Sequence, residues 1–261
     1  MNDLQRNPQP DWLTPDWPAP TAVRALSTLR TGGASVPPFA SLNLGGHVGD
    51  DATAVEGNRR ALLAAARLPA EPAWLEQVHG ICVTDLDSPG PTGPSDAAVT
   101  RQPGRVCAIL TADCLPVLLT GAAGDRVGAS HAGWRGLAGG VIEATVSALG
   151  GPPEELLAWL GPAIGPRHFE VGAEVREEFL RRVGVGDSAA DEAAFLPNAR
   201  GRYMADLYAL ARGRLLRLGV ERIYGGGECT YTDDARYFSH RREGRTGRQA
   251  TLIWLEGPPH R

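Results

Sequence analysis

Short apolar runs recur along this chain and are bounded by Gly, Asp and Pro residues. Runs of this length between such breakers are typical of buried β-strands. The clearest ones cover residues 105–110, 116–120, 126–130 and 157–160. Alternating and β-branched positions predict further strands at 74–86, with Gly80 at a turn, and at 223–224 and 251–255.

Helical spacing of apolar residues predicts four helices. The first follows Asp50 and Asp51, which can cap its start, and it runs to about residue 66. Its apolar face contains Val55, Leu62, Leu63 and Ala66. The other helices cover 134–149, which ends at Gly150 and Gly151, then 173–183 and 204–218. Residues 184–200 lack this spacing, and we expect them to form a surface loop.

The order of these elements favours one mixed α/β domain, with a mixed β-sheet and flanking helices. A chain of 261 residues can form one large domain with a continuous core. The sequence contains no repeat, low-complexity tract or convincing linker. Residues 1–20 are polar and proline-rich and are expected to form an extended N-terminal arm. Residues 21–261 are then expected to form the folded domain that carries any functional site.

All 26 basic residues of the chain are arginines. The lack of lysine excludes Schiff-base, P-loop and protein-kinase chemistry. A phosphate group would therefore have to be bound by arginine, by helix N-termini or by a metal. The formal net charge of −4 and the isoelectric point near 5.9 argue against a nucleic-acid or anionic-membrane binder.

No segment predicts secretion or membrane insertion. The first residues lack the apolar region of a signal peptide. The apolar run 106–119 is too short to span a bilayer and is interrupted by Asp113 and Pro116. The four cysteines are widely spaced and indicate free thiols or metal ligands instead of a disulfide framework. We therefore expect a cytoplasmic protein, with no obligate protein partner evident.

Three segments each place a potential metal ligand near the end of a predicted strand. They are QVHG with His79, ADCLP with Cys114 and SHAGWRG with His131. Two imidazoles and one thiolate suit Zn²⁺ and leave a fourth position for water or substrate. A single buried His or Cys is more often structural, but Gly-rich turns beside these residues favour a site. We predict that all three bind metal and form the catalytic centre, with Asp113 as a further catalytic candidate.

Three residues near these segments are candidates for substrate binding. Arg135 follows His131 where a helix is predicted to begin, and a guanidinium beside a helix N-terminus can bind an anion. The alternative is an ordinary surface cation. Asn43 and His47 lie in the Gly-containing segment SLNLGGHVGDD, which is suited to close approach of a ligand. A turn with a hydrogen-bonded histidine explains that segment equally well.

At these motifs the chain resembles the laccase-domain family, also known as YfiH-like proteins or polyphenol oxidases. The resemblance runs from about Arg24 to Leu255 and includes WLEQVHG, LTADCLPVLL, SHAGWRG, GPAIGPRHFEVG and ECTYTDDARYFSHRREGRTGRQ. The combination of ADCLP with HAGWRG is highly specific. His240, in SHRR, departs from the pattern, which leads us to expect an aromatic residue there.

The resemblance implies a fold similar to the cysteine-hydrolase-like domain of cytotoxic necrotizing factor toxins. It implies Zn²⁺ held by the residues that match His79, Cys114 and His131. The activity it implies is phosphorolysis of purine nucleosides (adenosine, inosine, guanosine and methylthioadenosine), with adenosine deamination as a second activity. The expected partners are then purine nucleosides and phosphate.

The older name of the family implies copper-dependent phenol oxidation. A conventional multicopper oxidase needs about ten histidine ligands, whereas this chain contains six histidines. The chain cannot build that assembly alone. A single copper at the His₂Cys set is a less favoured alternative to zinc.

Two mechanistic branches fit a phosphorylase with a second deaminase activity. In phosphorolysis, phosphate bound at Arg135 attacks ribose C1′, and the departing purine needs a proton donor or the metal. The alternative phosphate ligands are Arg241, Arg242, Arg245 and Arg248. In deamination, activated water attacks C6 of adenine while a carboxylate moves the proton, and Asp113 and Asp96 are candidates for it. A purely structural role in a turn or cap explains each of these aspartates equally well.

Two other classes of protein fit the same residues. A metal-free hydrolase or amidase acting on cell-wall precursors would use Cys114 as nucleophile and one histidine as base. A non-enzymatic scaffold would hold zinc structurally, with a fourth protein ligand completing the coordination sphere.

Overall fold

A computed structural model describes residues 9–89, 93–181 and 188–257 of the chain. They form one mixed α/β domain, which confirms the predicted fold class. The strands are β1 (Trp12–Leu13), β2 (Val23–Thr28), β3 (Ala73–Trp74), β4 (Val83–Asp85), β5 (Ala97–Thr100), β6 (Val106–Thr111), β7 (Leu115–Gly121), β8 (Val127–Ala132), β9 (Leu156–Leu160), β10 (Glu170–Val171), β11 (Phe195–Pro197), β12 (Tyr203–Ala205), β13 (Arg222–Gly225) and β14 (Gln249–Leu255). The helices are α1 (Ala52–Ala65), α2 (Trp134–Gly139), α3 (Val141–Leu149), α4 (Ala173–Arg181), α5 (Ser188–Ala193), α6 (Leu207–Arg217) and α7 (His240–Glu243).

Two mixed sheets form the centre of the domain. The first has five strands in the order β1-β2-β14-β6-β3, and its β3–β6 pair is parallel. The second has six strands in the order β13-β9-β7-β8-β5-β4, with parallel pairs at its two edges and antiparallel pairs between them. A small antiparallel sheet, β10-β12-β11, lies outside these two.

The alternation of side chains along the central strands separates the core into layers. On β6, Cys107 and Ile109 lie in the cluster between the two sheets, whereas Ala108 packs on the side of α1. On β7, Leu118 lies between the sheets and Val117 packs on the side of α3 and α6. These strands are covered on both faces, which explains their continuous apolar sequences.

The sequence predicts the first helix correctly but misses a break in the second. Asp51 caps α1, because its side chain accepts a hydrogen bond from the Thr53 amide. The helix predicted at 134–149 is divided into α2 and α3 at Gly140, whose φ of 104° is left-handed. Glycine adopts this conformation without steric cost. The apolar spacing continues across the break, so the spacing alone does not reveal it.

The loop predicted at 184–200 is wrong for most of the residues that the structure describes. Residues 188–193 form α5 and residues 195–197 form β11, and Phe195 packs into the core, whereas residues 198–200 form a turn as predicted. Asp191 is buried and pairs with Arg217 at 3.0 Å. The helix predicted at 204–218 begins later, because residues 203–205 form β12 and Asp206 caps α6. Residues 182–187, including the predicted end of the helix at 173–183, lie outside the described residues.

Two other regions differ from the predicted elements. Within the predicted N-terminal arm, Trp12 and Leu13 form the edge strand β1, which pairs with residues 27 and 28 of β2. The strand predicted at 74–86 is divided into β3 and β4, and the intervening residues form a loop that contains His79. In the parts of the chain that the structure describes, no helix has both the length and the hydropathy needed to cross a membrane.

Candidate metal centre

Three separate segments bring His79, Cys114 and His131 together. His79 lies in the loop between β3 and β4, Cys114 in the turn between β6 and β7, and His131 within β8. Their candidate ligand atoms all lie within 4.8 Å of one another. His131 is buried, Cys114 is half-buried and His79 is exposed. The three residues predicted from the sequence therefore form one cluster with a side that is open to solvent.

The buried carboxylate of Asp96 organises two of the three ligand segments. Its Oδ1 accepts hydrogen bonds from His131 Nδ1 (2.8 Å) and from the His79 amide (2.9 Å). Its Oδ2 accepts from the amides of Val78 (3.1 Å) and Gly80 (2.6 Å). With its Nδ1 proton donated to Asp96, His131 has Nε2 free for a metal. Asp96 thus fixes both the histidine tautomer and the loop that carries His79.

Strained backbone also shapes the cluster. His79 and Asp113, the residue before Cys114, have φ values of 60° and 97°. Such values are uncommon in non-glycine residues and persist where the surrounding contacts impose them. The side chain of Gln77 provides one such restraint: it donates to the Leu110 carbonyl at 2.9 Å and accepts from the Leu110 amide at 2.8 Å.

Cys114 and His131 change each other's proton affinity. Burial disfavours the Cys114 thiolate, but the charges and hydrogen bonds of His131 and His79 outweigh burial and lower its pKa to about 6. Burial also disfavours the charged form of His131, but the Cys114 thiolate and Asp96 raise its pKa to about 9. Near neutral pH the metal-free pair is therefore a thiolate and an imidazolium. Metal binding must release the imidazolium proton.

The cluster has the donors and the space that a zinc ion requires. Thiolate and imidazole are preferred zinc ligands, and an acidic thiol favours binding. Gly133 borders the cluster, and a Cβ atom there would lie 2.9 Å from His79 Cδ2 and 3.0 Å from Cys114 Sγ. Any larger residue at this position would occupy the space between the ligands. The residues present therefore fit Zn²⁺.

Asp113 is close to the cluster, but its carboxylate is engaged in the fold. Its Oδ1 accepts a hydrogen bond from the Thr230 hydroxyl at 2.7 Å, and its Oδ2 accepts from the Arg241 amide at 2.6 Å. These bonds join the turn of Cys114 to the C-terminal segment. A catalytic role for Asp113 stays a prediction. Asp96 already accepts four hydrogen bonds, so its predicted role as a proton shuttle would require it to release a partner.

The predicted substrate residues Asn43 and His47 lie in different environments. The Asn43 side chain is fully buried, donates to Asp50 Oδ2 at 2.8 Å and accepts from the Arg248 amide at 2.9 Å. Direct contact with substrate would break these bonds. The His47 side chain is largely exposed. Desolvation of its partly buried ring is the main cause of its lowered pKa, and the positive charges of Arg248, Arg59 and both metal-site histidines lower the pKa further. His47 is therefore within electrostatic range of the cluster.

Arg135 is exposed at the start of α2. Its guanidinium stacks over the Trp134 ring at 4.3 Å, and it has no hydrogen bond or ion pair with the described residues. The predicted anion site relied on a helix continuing to residue 149, whereas α2 has six residues. The helix contribution to anion binding is correspondingly small, because a short helix has few aligned peptide dipoles.

Sequence reasoning did not find two features of the site. Asp96 was a candidate only for proton transfer, although its position before β5 orients the metal ligands. The signal was weak: a single aspartate in SDAAVT before an apolar strand. The second feature is Arg248, whose guanidinium is influenced by the charges of Cys114 and Asp113. In the sequence it is one of four arginines in a basic segment, and nothing local distinguishes it from the others.

Comparison with known proteins gives a consistent result. The model of the family described as multi-copper polyphenol oxidoreductase laccase matches residues 24–256. A Pseudomonas aeruginosa protein named purine nucleoside phosphorylase is 56% identical over 246 residues, covering 94% of this chain and 98% of that protein. The Escherichia coli purine nucleoside phosphorylase YfiH is 53% identical over 244 residues, with 93% and 98% coverage.

Solved structures resemble the whole domain. A Neisseria meningitidis protein of the DUF152 family superimposes with a TM-score of 0.89 at 47% identity, covering 94% of this chain and 99% of that one. YlmD from Geobacillus stearothermophilus gives a TM-score of 0.85 at 33% identity, with 94% and 96% coverage. The likeness to the toxin domain, suggested by the sequence, stays a prediction.

Proposed function

The chain belongs to the multi-copper polyphenol oxidoreductase laccase family, and from this premise we propose that it is a zinc-dependent purine nucleoside phosphorylase. The observation that carries the proposal is the convergence of His79, Cys114 and His131, with ligand atoms within 4.8 Å of one another on an accessible surface. Support also comes from relatives at 45–56% identity that are named purine nucleoside phosphorylases.

The proposed reaction joins phosphate to the sugar and releases the purine. A phosphate oxygen forms a bond to ribose C1′ as the bond from C1′ to purine N9 breaks. The bonding electrons leave with the purine, which takes up a proton. Zn²⁺, held by the two histidines and the cysteine, would supply electrostatic stabilisation of developing negative charge. Asp96 orients His131, and Gly133 keeps the space between the ligands open.

The substrates and the second activity belong to the same proposal. We assign adenosine, inosine, guanosine and methylthioadenosine as substrates, and deamination of adenosine by water as a side reaction. In deamination, water adds to C6 and ammonia leaves. The carboxylates of Asp113 and Asp96 already accept hydrogen bonds. Deamination is therefore the weaker part of the proposal.

Phenol oxidation is a less favoured function for this chain. Among the described residues, His79, Cys114 and His131 are the one group able to hold a metal through histidine, cysteine or carboxylate side chains. This set could bind a single copper, but a multicopper centre requires several ligand groups. We therefore propose zinc as the metal that supports activity.

A metal-free hydrolase or amidase is the second candidate, and one observation favours it. In such an enzyme Cys114 would be the nucleophile, His131 the base and Asp96 the carboxylate that orients the base. The pKa of Cys114 is lowered to about 6, chiefly by the charge of His131 acting against burial. A thiolate of this kind could attack an amide of a cell-wall precursor.

One experiment separates these functions. Freshly purified protein is analysed for metals and then incubated with each nucleoside, with and without inorganic phosphate, and the products are separated by chromatography. We expect about one zinc per chain, and phosphate-dependent release of purine without oxygen uptake. Chelation should abolish this activity and zinc should restore it. Phosphate-independent activity on an amide that persists after chelation would favour the hydrolase, whereas copper-dependent oxygen uptake with phenols would favour the oxidase.

A further inference from the structure

A basic cavity of about 380 Å³ opens between two loops near the metal centre. It is lined by His47, Val48, His240, Gly244, Arg245, Thr246 and Arg248. Two arginines and two histidines contribute to this lining, and no carboxylate does. A concave surface with this composition favours an anion.

Hydrogen bonds connect the walls of this cavity to the metal centre. Asp113, the residue before Cys114, accepts a hydrogen bond from the Arg241 amide at 2.6 Å in the wall formed by α7. The Asn43 side chain joins the two loops by accepting from the Arg248 amide at 2.9 Å. The charges of Cys114 and Asp113 act on Arg248, and those of His131 and His79 act on His47. The cavity and the metal cluster are therefore neighbouring parts of one site.

Arg248 has hydrogen-bond donors that no described residue uses. Its Nη1 donates to the carbonyls of Thr246 and Gly247, both at 3.0 Å. Its Nε and Nη2 have no partner among the described residues, and neither is a fully buried atom. Arg248 also forms no ion pair there, although desolvation by burial disfavours its charge and lowers its pKa. A guanidinium in this position gains most from an anion that accepts two hydrogen bonds.

The neighbouring arginines are engaged in the fold. Arg241 donates to the carbonyls of His168 and Glu170 and lies over the Phe169 ring. Arg242 donates to three backbone carbonyls, at Thr230, Tyr231 and Tyr237. Of the four arginines that the sequence could not distinguish, these two hold the C-terminal segment together.

Arg245 is a weaker candidate than Arg248. It donates to the Gly49 carbonyl at 2.8 Å, lies over the Phe39 ring and is exposed. Charge–charge attraction at an exposed position is largely screened by water. Arg248 is more enclosed, and the charges of Cys114 and Asp113 act on its guanidinium.

We propose that Arg248, with His47 on the facing loop, binds the phosphate group that reacts at the metal centre. This inference rests on the proposed phosphorylase function. The ligand is inorganic phosphate as co-substrate and, after reaction, the phosphate of the sugar 1-phosphate. Arg248 supplies two hydrogen-bond donors and a positive charge, and His47 supplies a ring nitrogen on the opposite wall. Arg135, predicted from the sequence, then lies outside the phosphate subsite.

The test compares variants of the zinc-loaded protein. Arg248→Met retains the aliphatic part of the side chain. This part packs closely against Gly45, where an added Cβ atom would lie 2.7 Å from the Arg248 Cγ. Arg248→Lys retains the charge without the forked donors. Arg135→Ala tests the competing residue. Arg60→Ala is the matched control, because Arg60 is an exposed arginine of α1 that pairs with Glu56 at 3.5 Å. Zinc content and thermal unfolding are measured for each variant.

Two measurements distinguish this inference from the proposed function. The first is binding of radiolabelled inorganic phosphate by equilibrium dialysis, which requires no turnover. The second is KM for phosphate and for inosine. We expect Arg248→Met to weaken phosphate binding and raise KM for phosphate by about 10–100-fold, the size typical of a lost charge-assisted contact. KM for inosine should change less than about threefold, and Arg248→Lys should recover part of the loss.

These measurements test the phosphorylase function and the Arg248 phosphate subsite independently. Lack of phosphorolysis by the wild-type protein would refute the proposed function, while dialysis would still decide the subsite. Loss of phosphate binding in Arg248→Met, but not in Arg135→Ala or Arg60→Ala, supports the inference. It is overturned if the wild-type protein does not bind phosphate, if Arg248→Met and Arg248→Lys bind it normally, or if Arg135→Ala alone loses it. Were Arg248→Met to misfold, Arg248→Lys with full zinc content would give the same decision from its phosphate binding by dialysis.

Discussion

Two cysteines at opposite ends of β6 have contrasting chemistry. Cys107 lies in the apolar layer between the two large sheets and is fully buried. Burial raises the pKa of its thiol, and Asp87 and Asp85 add to this effect. Cys114, after the end of the same strand, lies beside His131 and His79, and its pKa is lowered to about 6 despite burial. Desolvation acts on both thiols, so the neighbouring histidines account for the difference.

This comparison shows that burial alone does not indicate whether a cysteine is reactive. Desolvation by itself gives an inert thiol, as at Cys107. The same effect strengthens an adjacent charge pair, because the protein screens charges less than water does. At Cys114 the turn brings the sulfur out of the apolar layer and next to an imidazole held by Asp96. One residue contributes to packing and the other is available for metal binding.

The largest effect is expected when Cys114 is replaced. Cys114→Ser should lose most of the bound zinc, because the alkoxide of serine is not formed near neutral pH and its hydroxyl is a weak ligand. Phosphorolysis should fall by about 10³-fold or more, as for a residue in a cooperating catalytic unit. Elemental analysis and initial rates measure the two losses. Full zinc occupancy in Cys114→Ser would refute the ligand assignment.

Cys107→Ser is the matched control for this replacement. It places an unpaired hydroxyl in the layer between the sheets, which should reduce the free energy of unfolding by about 1–3 kcal/mol. Zinc content and KM should remain those of the wild-type protein. Should Cys107→Ser lose zinc as readily as Cys114→Ser while still folded, the contrast between the two thiols would be wrong.

A smaller effect is expected for Asp96→Asn. The carboxylate accepts hydrogen bonds on both oxygens, whereas an amide must turn its NH₂ group toward His131 or toward the amides of Val78 and Gly80. We expect zinc affinity to fall by about 10–100-fold, as for other residues that orient metal ligands. Competition with a chromophoric chelator measures the zinc affinity.

Asp87→Asn provides the control for Asp96→Asn. Asp87 also accepts structural hydrogen bonds, from the Thr100 hydroxyl at 2.6 Å and the Arg101 amide at 2.7 Å, but outside the metal centre. It should lose stability without loss of zinc affinity. Equal zinc affinities for Asp96→Asn and the wild-type protein would show that Asp96 does not position the ligands.

The smallest effect is a difference in alkylation rate in metal-free protein. Thiolate is the reactive form, and a Cys114 pKa of about 6 means that it predominates above pH 6 and is lost as the pH falls through that value. At pH 7 we expect Cys114 to react with iodoacetamide on the order of tenfold faster than an ordinary thiol, since its lower basicity offsets part of the gain. Cys107 should not react until the protein unfolds.

Peptide mass spectrometry assigns the label, because Cys82 and Cys229 are also free. Added zinc should protect Cys114 and leave Cys82 unchanged. A Cys114 rate that rises only as the pH approaches 9, the ordinary value for a thiol, would contradict the thiolate–imidazolium pair.

Much of the fold could be predicted from local sequence patterns. The apolar runs at 105–110, 116–120 and 126–130 correspond to β6, β7 and β8, and Asp51 begins α1 as expected. The predicted elements were wrong where the spacing of apolar residues does not reflect the backbone conformation. Gly140 divides a helix whose apolar spacing is continuous. In residues 188–197, contacts with the rest of the domain, such as the Asp191–Arg217 pair, stabilise short elements that lack a strong local pattern.

The sequence by itself determined the family, the fold class and the identity of the three candidate ligands. Each of these is encoded by short motifs or by the periodicity of apolar residues, which are local properties of the chain. The tertiary structure decided which polar residues act on those ligands. Asp96 reaches His131 across 35 positions, and Asn43 reaches Arg248 across 205. Such distant partners are brought together only by the pairing and packing of the sheets, because a residue's charge and hydrogen bonding depend on its neighbours in space.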